Sequence, residues 1–270
     1  MHIVVCAKQT PSTTADLAVD DGKVTWSDPG GSPNIANPWD EYAVEEAIRL
    51  KEKHGGKVTV VSMGPEDARE ALKTAIAMGC DEAVLVSDEA LKGSDTLATS
   101  YVLAKAIEKL DDVDLVIFGR QAIDGDTGQT SMQVARRLGW TPLSGVSAVD
   151  ELDPEGKTIV VTRAIEAGRQ KVKGALPAAL SVLKEINEPR YPSFKGIRKA
   201  TKYMRSGLST WGVGDLEADA AKVGTAGSRV RWPDVYALPP RVGECEMLAA
   251  DTPEAVATSL VDKLFEEKVI

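Results

Sequence analysis

Short apolar runs alternate with helix-period segments over the first 140 residues, and this alternation constrains the fold more than any other feature of the chain. Ile3 to Ala7, Val58 to Met63, Ala83 to Val86 and Leu115 to Phe118 are rich in β-branched residues and lack a solvent-facing polar row. Such runs form strands buried on both faces. Helical spacing fills the gaps between them. A helix is expected from about Asp40 to His54, where Ala43, Val44, Ala47, Ile48 and Leu50 recur and Gly55-Gly56 stops it. Others are expected over Glu66 to Met78, closed by Gly79, over Asp95 to Leu110 with Ser94 or Asp95 as cap, and from near Thr127 to Leu138, stopped by Gly139. Strand–helix alternation of this kind makes an α/β fold, a parallel sheet with helices on both faces and right-handed crossovers. Ligands of such Rossmann-like sheets sit at the carboxyl ends of strands, where the strand order reverses. The loops after Ala7, Met63, Val86 and Phe118 are therefore where a site is expected.

The remaining segments are of other kinds. Thr10 to Pro38 is polar and rich in Gly and Pro, with a small hairpin over Ala18 to Trp26 turning at Asp21-Gly22. Val146 to Leu152, Thr158 to Ala164 and Gln170 to Val172 form an antiparallel hairpin or meander inserted at about 146–176, and Pro177 introduces a further strand, Ala178 to Leu183. Beyond Asn187 apolar runs are scarce until Pro253 to Lys268, a terminal helix. A long stretch without structure is unusual inside a compact domain. Residues 1–187 are accordingly expected to form an α/β nucleotide-binding domain, and 188–270 an extended C-terminal arm that orders against another chain; a poorly packed tail is the alternative.

Composition removes several functions. The net charge of −9 and a pI near 5.0 argue against a nucleic-acid or anionic-membrane surface; Arg190 to Arg205 is the one basic stretch. Cys6, Cys80 and Cys245 have no metal-ligand spacing, and so sparse a set fits a reducing compartment. No run approaches the roughly 20 residues of a membrane span, so a cytoplasmic protein is expected. His2 and His54 are the two histidines, and neither lies near a candidate nucleophile. No catalytic residue and no metal site are expected.

Three loops carry ligand-binding character. Gly119-Arg120-Gln121-Ala122-Ile123-Asp124-Gly125-Asp126-Thr127-Gly128-Gln129-Thr130 follows a buried strand and opens a helix. Its glycines allow close backbone approach, and free amides at a helix start suit a phosphate. It is neither a Walker loop nor the usual dinucleotide fingerprint. Asp124 and Asp126 would repel phosphate, so they are read as caps or ribose ligands, and an ordinary capped helix start explains the pattern equally well. Thr96 and Thr99, three apart at a helix N-terminus, can turn their hydroxyls to one point. Asn37-Pro38-Trp39-Asp40 reads, from the residues alone, as a helix cap.

Taken in order and spacing, these segments resemble the beta subunit of electron-transfer flavoproteins along nearly the whole chain. The resemblance rests on Val5-Cys6-Ala7-Lys8-Gln9, Asn37 to Asp40 with Ala43-Val44-Glu45-Glu46-Ala47, Met63-Gly64-Pro65, Gly119 to Gln129, Arg163 to Gly168 and Asn187-Glu188-Pro189-Arg190-Tyr191. Ala167 and Ala179 depart from the family pattern without disturbing it. The resemblance implies a partner, an alpha subunit carrying FAD, and a second adenine nucleotide held by this chain: AMP in the simple carrier branch, FAD in the bifurcating branch. That nucleotide would meet Cys6, Asn37, Pro38, Trp39, Asp40, Met63 and the loop Gly119 to Thr130. Ser94 to Ser100 and Gly125-Asp126-Thr127 resemble the bifurcating branch. They imply FAD with Thr96 and Thr99 near its ring or phosphates, NADH as electron donor, and electrons divided between the alpha-subunit FAD and ferredoxin or flavodoxin. Docking of a partner dehydrogenase or quinone oxidoreductase would use Tyr191, Phe194 and Lys195, with Arg198 and Lys199 nearby; a Phe194 packed inward is the alternative.

Overall fold

Strand β1 (His2–Cys6) is buried at every position, as an apolar run without a polar face requires. The computed structural model describes residues 1–28, 31, 32, 34–232, 234–239, 242, 243 and 245–270. The chain divides into two units, Met1–Asp234 and Val235–Ile270.

In the first unit, β1 leads to β2 (Gln9–Pro11) and the hairpin β3 (Asp16–Asp20) and β4 (Lys23–Ser27). Asp21 and Gly22 both have positive φ, 47° and 68°, the conformation a two-residue hairpin turn needs. Strand β5 (Asn34–Ala36) pairs with β2. The alternation follows: α1 (Pro38–His54), β6 (Lys57–Met63), α2 (Arg69–Met78), β7 (Glu82–Val86), α3 (Thr96–Glu108), β8 (Val113–Gly119) and α4 (Thr130–Leu138). Then come β9 (Thr141–Asp153), β10 (Thr158–Ile165), β11 (Gly168–Ala175), β12 (Ala178–Val182), α5 (Phe194–Ser206), β13 (Ser209–Trp211) and α6 (Gly224–Gly227).

Nine strands form one sheet in the order β11-β10-β9-β12-β8-β1-β6-β7-β13. From β12 to β13 every pairing is parallel. Ile3, Val5, Val58 and Val60 face α1, α2 and α5; Val4, Cys6, Val61 and Val84 face α3 and α4. The antiparallel segment extends this sheet, because β9 runs parallel to β12 before pairing antiparallel with β10. From β1 the chain proceeds outward to β6 and β7, then recrosses to β8 and β12. The order therefore reverses between β1 and β8, where Cys6 is registered with Phe118.

Two expectations need correction. Helix α4 starts at Thr130, not near Thr127, because Asp126 (φ 55°) and Gly128 (φ 60°) are left-handed and interrupt a right-handed helix. Residues after Asn187 are also more ordered than their composition suggests. Helix α5 packs on α2 through Ala200 and Tyr203, the Tyr203 hydroxyl accepting the Ala83 amide at 2.9 Å. Strand β13 adds a sheet edge beside β7 within the first unit, which runs to Asp234.

The second unit has extended backbone before α7 (Pro253–Glu266), which Thr252 caps. Its Tyr236, Leu238, Val242, Met247, Leu260, Val261 and Phe265 are exposed. Among the described residues no helix is long and apolar enough to cross a membrane.

Candidate site at the strand tips

The crevice opens where β1 and β8 part, and Asn37 builds much of it. Its side chain is 1 % exposed and does not cap α1. Instead Nδ2 donates to the Gln121 carbonyl at 2.8 Å, and Oδ1 accepts the Ile123 amide at 3.2 Å. The capping reading of Asn37 thus gives way to a clasp, which holds the loop Gly119 to Gln129 against the start of α1.

Asp40 fastens the same corner from below. Its carboxylate accepts the Lys8 amide at 2.7 Å, joining the tip of β1 to α1. Burial pushes the Asp40 carboxyl up to about 7, against the opposing pull of the Lys8 and Gly119 amides and the Asn37 side chain. Burial, and then the Asp40 carboxylate, raises the Cys6 thiol well above its ordinary value. Cys6 is a packed wall of the crevice, not a nucleophile. Gly119 is required there: a Cβ would stand 2.5 Å from Asp40 Oδ1 and 2.6 Å from the Trp39 carbonyl oxygen.

The two loop aspartates neither cap α4 nor stand free. Lys8 Nζ pairs with Asp124, Gln121 Nε2 donates to Asp126 Oδ1, and the Asp126 amide closes a turn on the Ala122 carbonyl at 2.9 Å. The Arg120 guanidinium lies 5.9 Å from the centroid of the Trp39 ring. With its carboxylates tied back, the loop presents backbone. Asp124 to Gln129 are exposed, α4 begins without a side-chain cap, and a Cβ on Gly125 would meet nothing within 4 Å. An uncapped helix start behind an open glycine corner accommodates an anionic group. The residues present fit a phosphate-bearing nucleotide.

The second pole differs in charge. Asp95 caps α3 by accepting the Ala98 amide at 2.9 Å, and it also takes the Arg229 and Val230 amides at 2.6 and 3.0 Å. Burial alone would raise its carboxyl, but these amides together hold it below the ordinary carboxylate range. An ionised carboxylate repels phosphate, so this helix start suits a neutral, hydrogen-bonding ligand edge. Thr96 and Thr99 are half-buried beside it. Gln133, unnoticed in the sequence, bridges the poles: its Nε2 lies 3.2 Å from Thr96 Oγ1 and 3.4 Å from Gln129 Oε1. Its spacing of four from Gln129 and Arg137 is the signal that would have found it.

Cys6, Asn37 to Asp40 and Gly119 to Ile123 are thus brought together, with Met63 ending β6 close by in the sheet and Thr96 linked through Gln133. Tyr191, Phe194 and Lys195 lie apart from the crevice. Arg190 lays its guanidinium across Glu45 (2.8 and 3.0 Å) and Glu52 (2.7 and 3.0 Å) of α1. Asn187 Nδ2 donates to the Tyr42 carbonyl and to Glu46 Oε2. Hydrogen bonds donated to Glu52 and then to Glu45 hold the Arg190 proton more firmly than usual. Beyond this latch Tyr191 is 95 % and Phe194 85 % exposed, so Phe194 does not pack inward. Lys199 turns back to the Cys80 carbonyl at 3.2 Å.

Fold and strand-tip loops define a Rossmann-like α/β protein whose candidate site lies at the topological switch point, between the tips of β1 and β8. The model of the electron transfer flavoprotein domain matches residues 28–206. The chain is 41 % identical to the electron transfer flavoprotein subunit beta of Clostridium acetobutylicum, covering all of both chains. It is 40 % identical to the caffeyl-CoA reductase–Etf complex subunit CarD of Acetobacterium woodii, again covering all of both. Protein FixA of Azotobacter vinelandii is 38 % identical over 99 % of this chain and 95 % of its own. The chain belongs to the electron transfer flavoprotein family, as a beta subunit.

Proposed function

We propose that the crevice holds FAD and that the chain, paired with an alpha subunit, takes electrons from NADH and divides them between the alpha-subunit FAD and a low-potential acceptor such as ferredoxin or flavodoxin. The observation that carries this reading is the pair of helix starts with opposite character. Uncapped α4 suits the diphosphate, while carboxylate-capped α3 with Thr96 and Thr99 suits a neutral ring edge. A site for AMP alone needs only the first. Bound FAD would supply the hydride and single-electron chemistry; the protein orients it and tunes its potential. Asn37 and Asp40 hold the loop whose amides face the phosphates, and Gly125 leaves room for them. The similarity to the Etf-complex subunit CarD and to FixA supports the same branch.

Partner contacts follow from exposure. Tyr191, Phe194 and Lys195 form the docking point for a dehydrogenase or quinone oxidoreductase, an aromatic anchor with a steering charge. The apolar side chains of 235–270 engage the alpha subunit. A cytoplasmic complex, at a membrane only through its partner, fits three free cysteines. The test is addition of NADH to the anaerobically purified alpha–beta complex. Bleaching of its visible flavin absorbance is expected; an unchanged spectrum would contradict NADH as donor.

A further inference from the structure

Helices α3 and α4 are joined by a polar seam, with residues of α4 and its start recurring every fourth position. Gln129, Gln133 and Arg137 face Thr96, Leu97 and Ser100. Arg137 donates from Nε to Ser100 Oγ and from Nη2 to the Leu97 carbonyl, both at 2.9 Å. Gln133 Nε2 donates to Thr96 Oγ1 and to Gln129 Oε1. Beside the seam opens a cleft of about 640 Å³, lined by Leu97, Gly128, Gln129, Met132, Gln133, Arg136 and Arg137.

A hydroxyl has one hydrogen to give and two lone pairs to receive with. At Ser100 the hydrogen is spent within the helix, on the Leu97 carbonyl at 2.8 Å. At Thr96 the Gln133 Nε2 fills a lone pair, the Oε1 of the same amide is buried without a partner, and no acceptor among the described residues takes the Thr96 hydrogen. We propose that Gln133 is a positioning residue: it fixes Thr96 as a hydrogen-bond donor, so the site selects a ligand carrying an acceptor atom, a ring nitrogen or ring carbonyl, at that point. This deepens the assignment of Thr96 as a cofactor contact and rests on it. A donor aimed at an atom that gains negative charge on reduction favours the reduced form, so the same geometry raises the reduction potential of the bound ring.

The test uses the purified alpha–beta complex, with cofactor loss on dilution and reduction midpoint potential as readouts. Loss of one oriented hydrogen bond predicts cofactor release about three- to tenfold faster and a lower potential in Gln133→Leu. Gln133→Glu offers a carboxylate that takes the Thr96 hydrogen, reversing the hydroxyl, and is expected to match or exceed that effect. In a Thr96→Val background Gln133→Leu is expected to add nothing. Ser100→Ala removes the Arg137 bond between the same two helices at a fully buried position outside the cleft lining, and is expected to lower the unfolding temperature while leaving the potential unchanged. Wild-type behaviour of Gln133→Glu, or a full further effect of Gln133→Leu in Thr96→Val, would overturn the proposal. A silent Gln133→Leu beside an affected Thr96→Val overturns it alone; a silent Thr96→Val overturns it together with the cofactor contact.

Discussion

Replacing Asn37 by alanine removes two hydrogen bonds from a side chain that is 1 % exposed. The Gln121 carbonyl and the Ile123 amide lose their partners together. Each unpaired group costs about 1–3 kcal/mol, and the half-buried loop lets water recover part of that, so a loss of roughly 2–4 kcal/mol is expected. At about 1.4 kcal/mol per tenfold, the lower figure already increases the open population of the loop some thirtyfold. Hydrogen–deuterium exchange read by mass spectrometry reports this directly. Within the peptide spanning 120–129, the hydrogen-bonded amides of Ile123 and Asp126 are expected to exchange at least about thirtyfold faster, while peptides of α2 and α5, which the clasp does not touch, keep their rates. Unchanged exchange over 120–129 would show that Asn37 does not hold the loop.

Asp40 has a folded pKa near 7 against 3.8 in the unfolded chain. Its effect on stability is most favourable below the lower value and is lost as pH rises toward and through the higher. Relative to Asp40→Asn, the wild type should therefore lose roughly 2–3 kcal/mol between pH 5 and pH 8, measured by urea unfolding at both values; parallel profiles would refute the assignment. Gly125→Leu meets open space, so unfolding should change by no more than about 0.5 kcal/mol while nucleotide retention falls; retention equal to wild type would place the ligand elsewhere. Arg190→Ala leaves the buried Glu45 carboxylate with only the residue-190 backbone amide as donor, at 3.2 Å, and without a cation, at a cost of about 2–4 kcal/mol, discounted because Arg190 is about one-third exposed. Denaturation should show that loss with nucleotide content unchanged, and Arg190→Lys should fall between, since one ammonium cannot serve two carboxylates in the same fork geometry.

Fully buried strands were legible because nothing but a parallel sheet covered on both faces accepts runs such as Ile3 to Ala7. The Asp21-Gly22 turn was legible because local conformation alone demands those residues. What the sequence hid depended on distance. Asn37 looks like a cap in its own neighbourhood, and its real partners lie 84 and 86 residues away. Gln133 reaches 37 residues back to Thr96. Helix α5 was obscured because its packed stripe is thin, Ala200 with Tyr203 and Met204, among five lysines and arginines. The start of α4 is hidden for a different, local reason: the turn tying Asp126 to Gln121 and Ala122 holds a non-glycine residue left-handed, which its identity does not announce.

In the proposed function, amides gathered at one end of the sheet grip an adenylate. Denaturing the purified alpha–beta complex and identifying the released nucleotides by mass spectrometry tests it most directly. Two FAD per pair are expected. One FAD with one AMP would retain the grip and refute the flavin reading, and a beta subunit that releases no adenine nucleotide would contradict the claim itself.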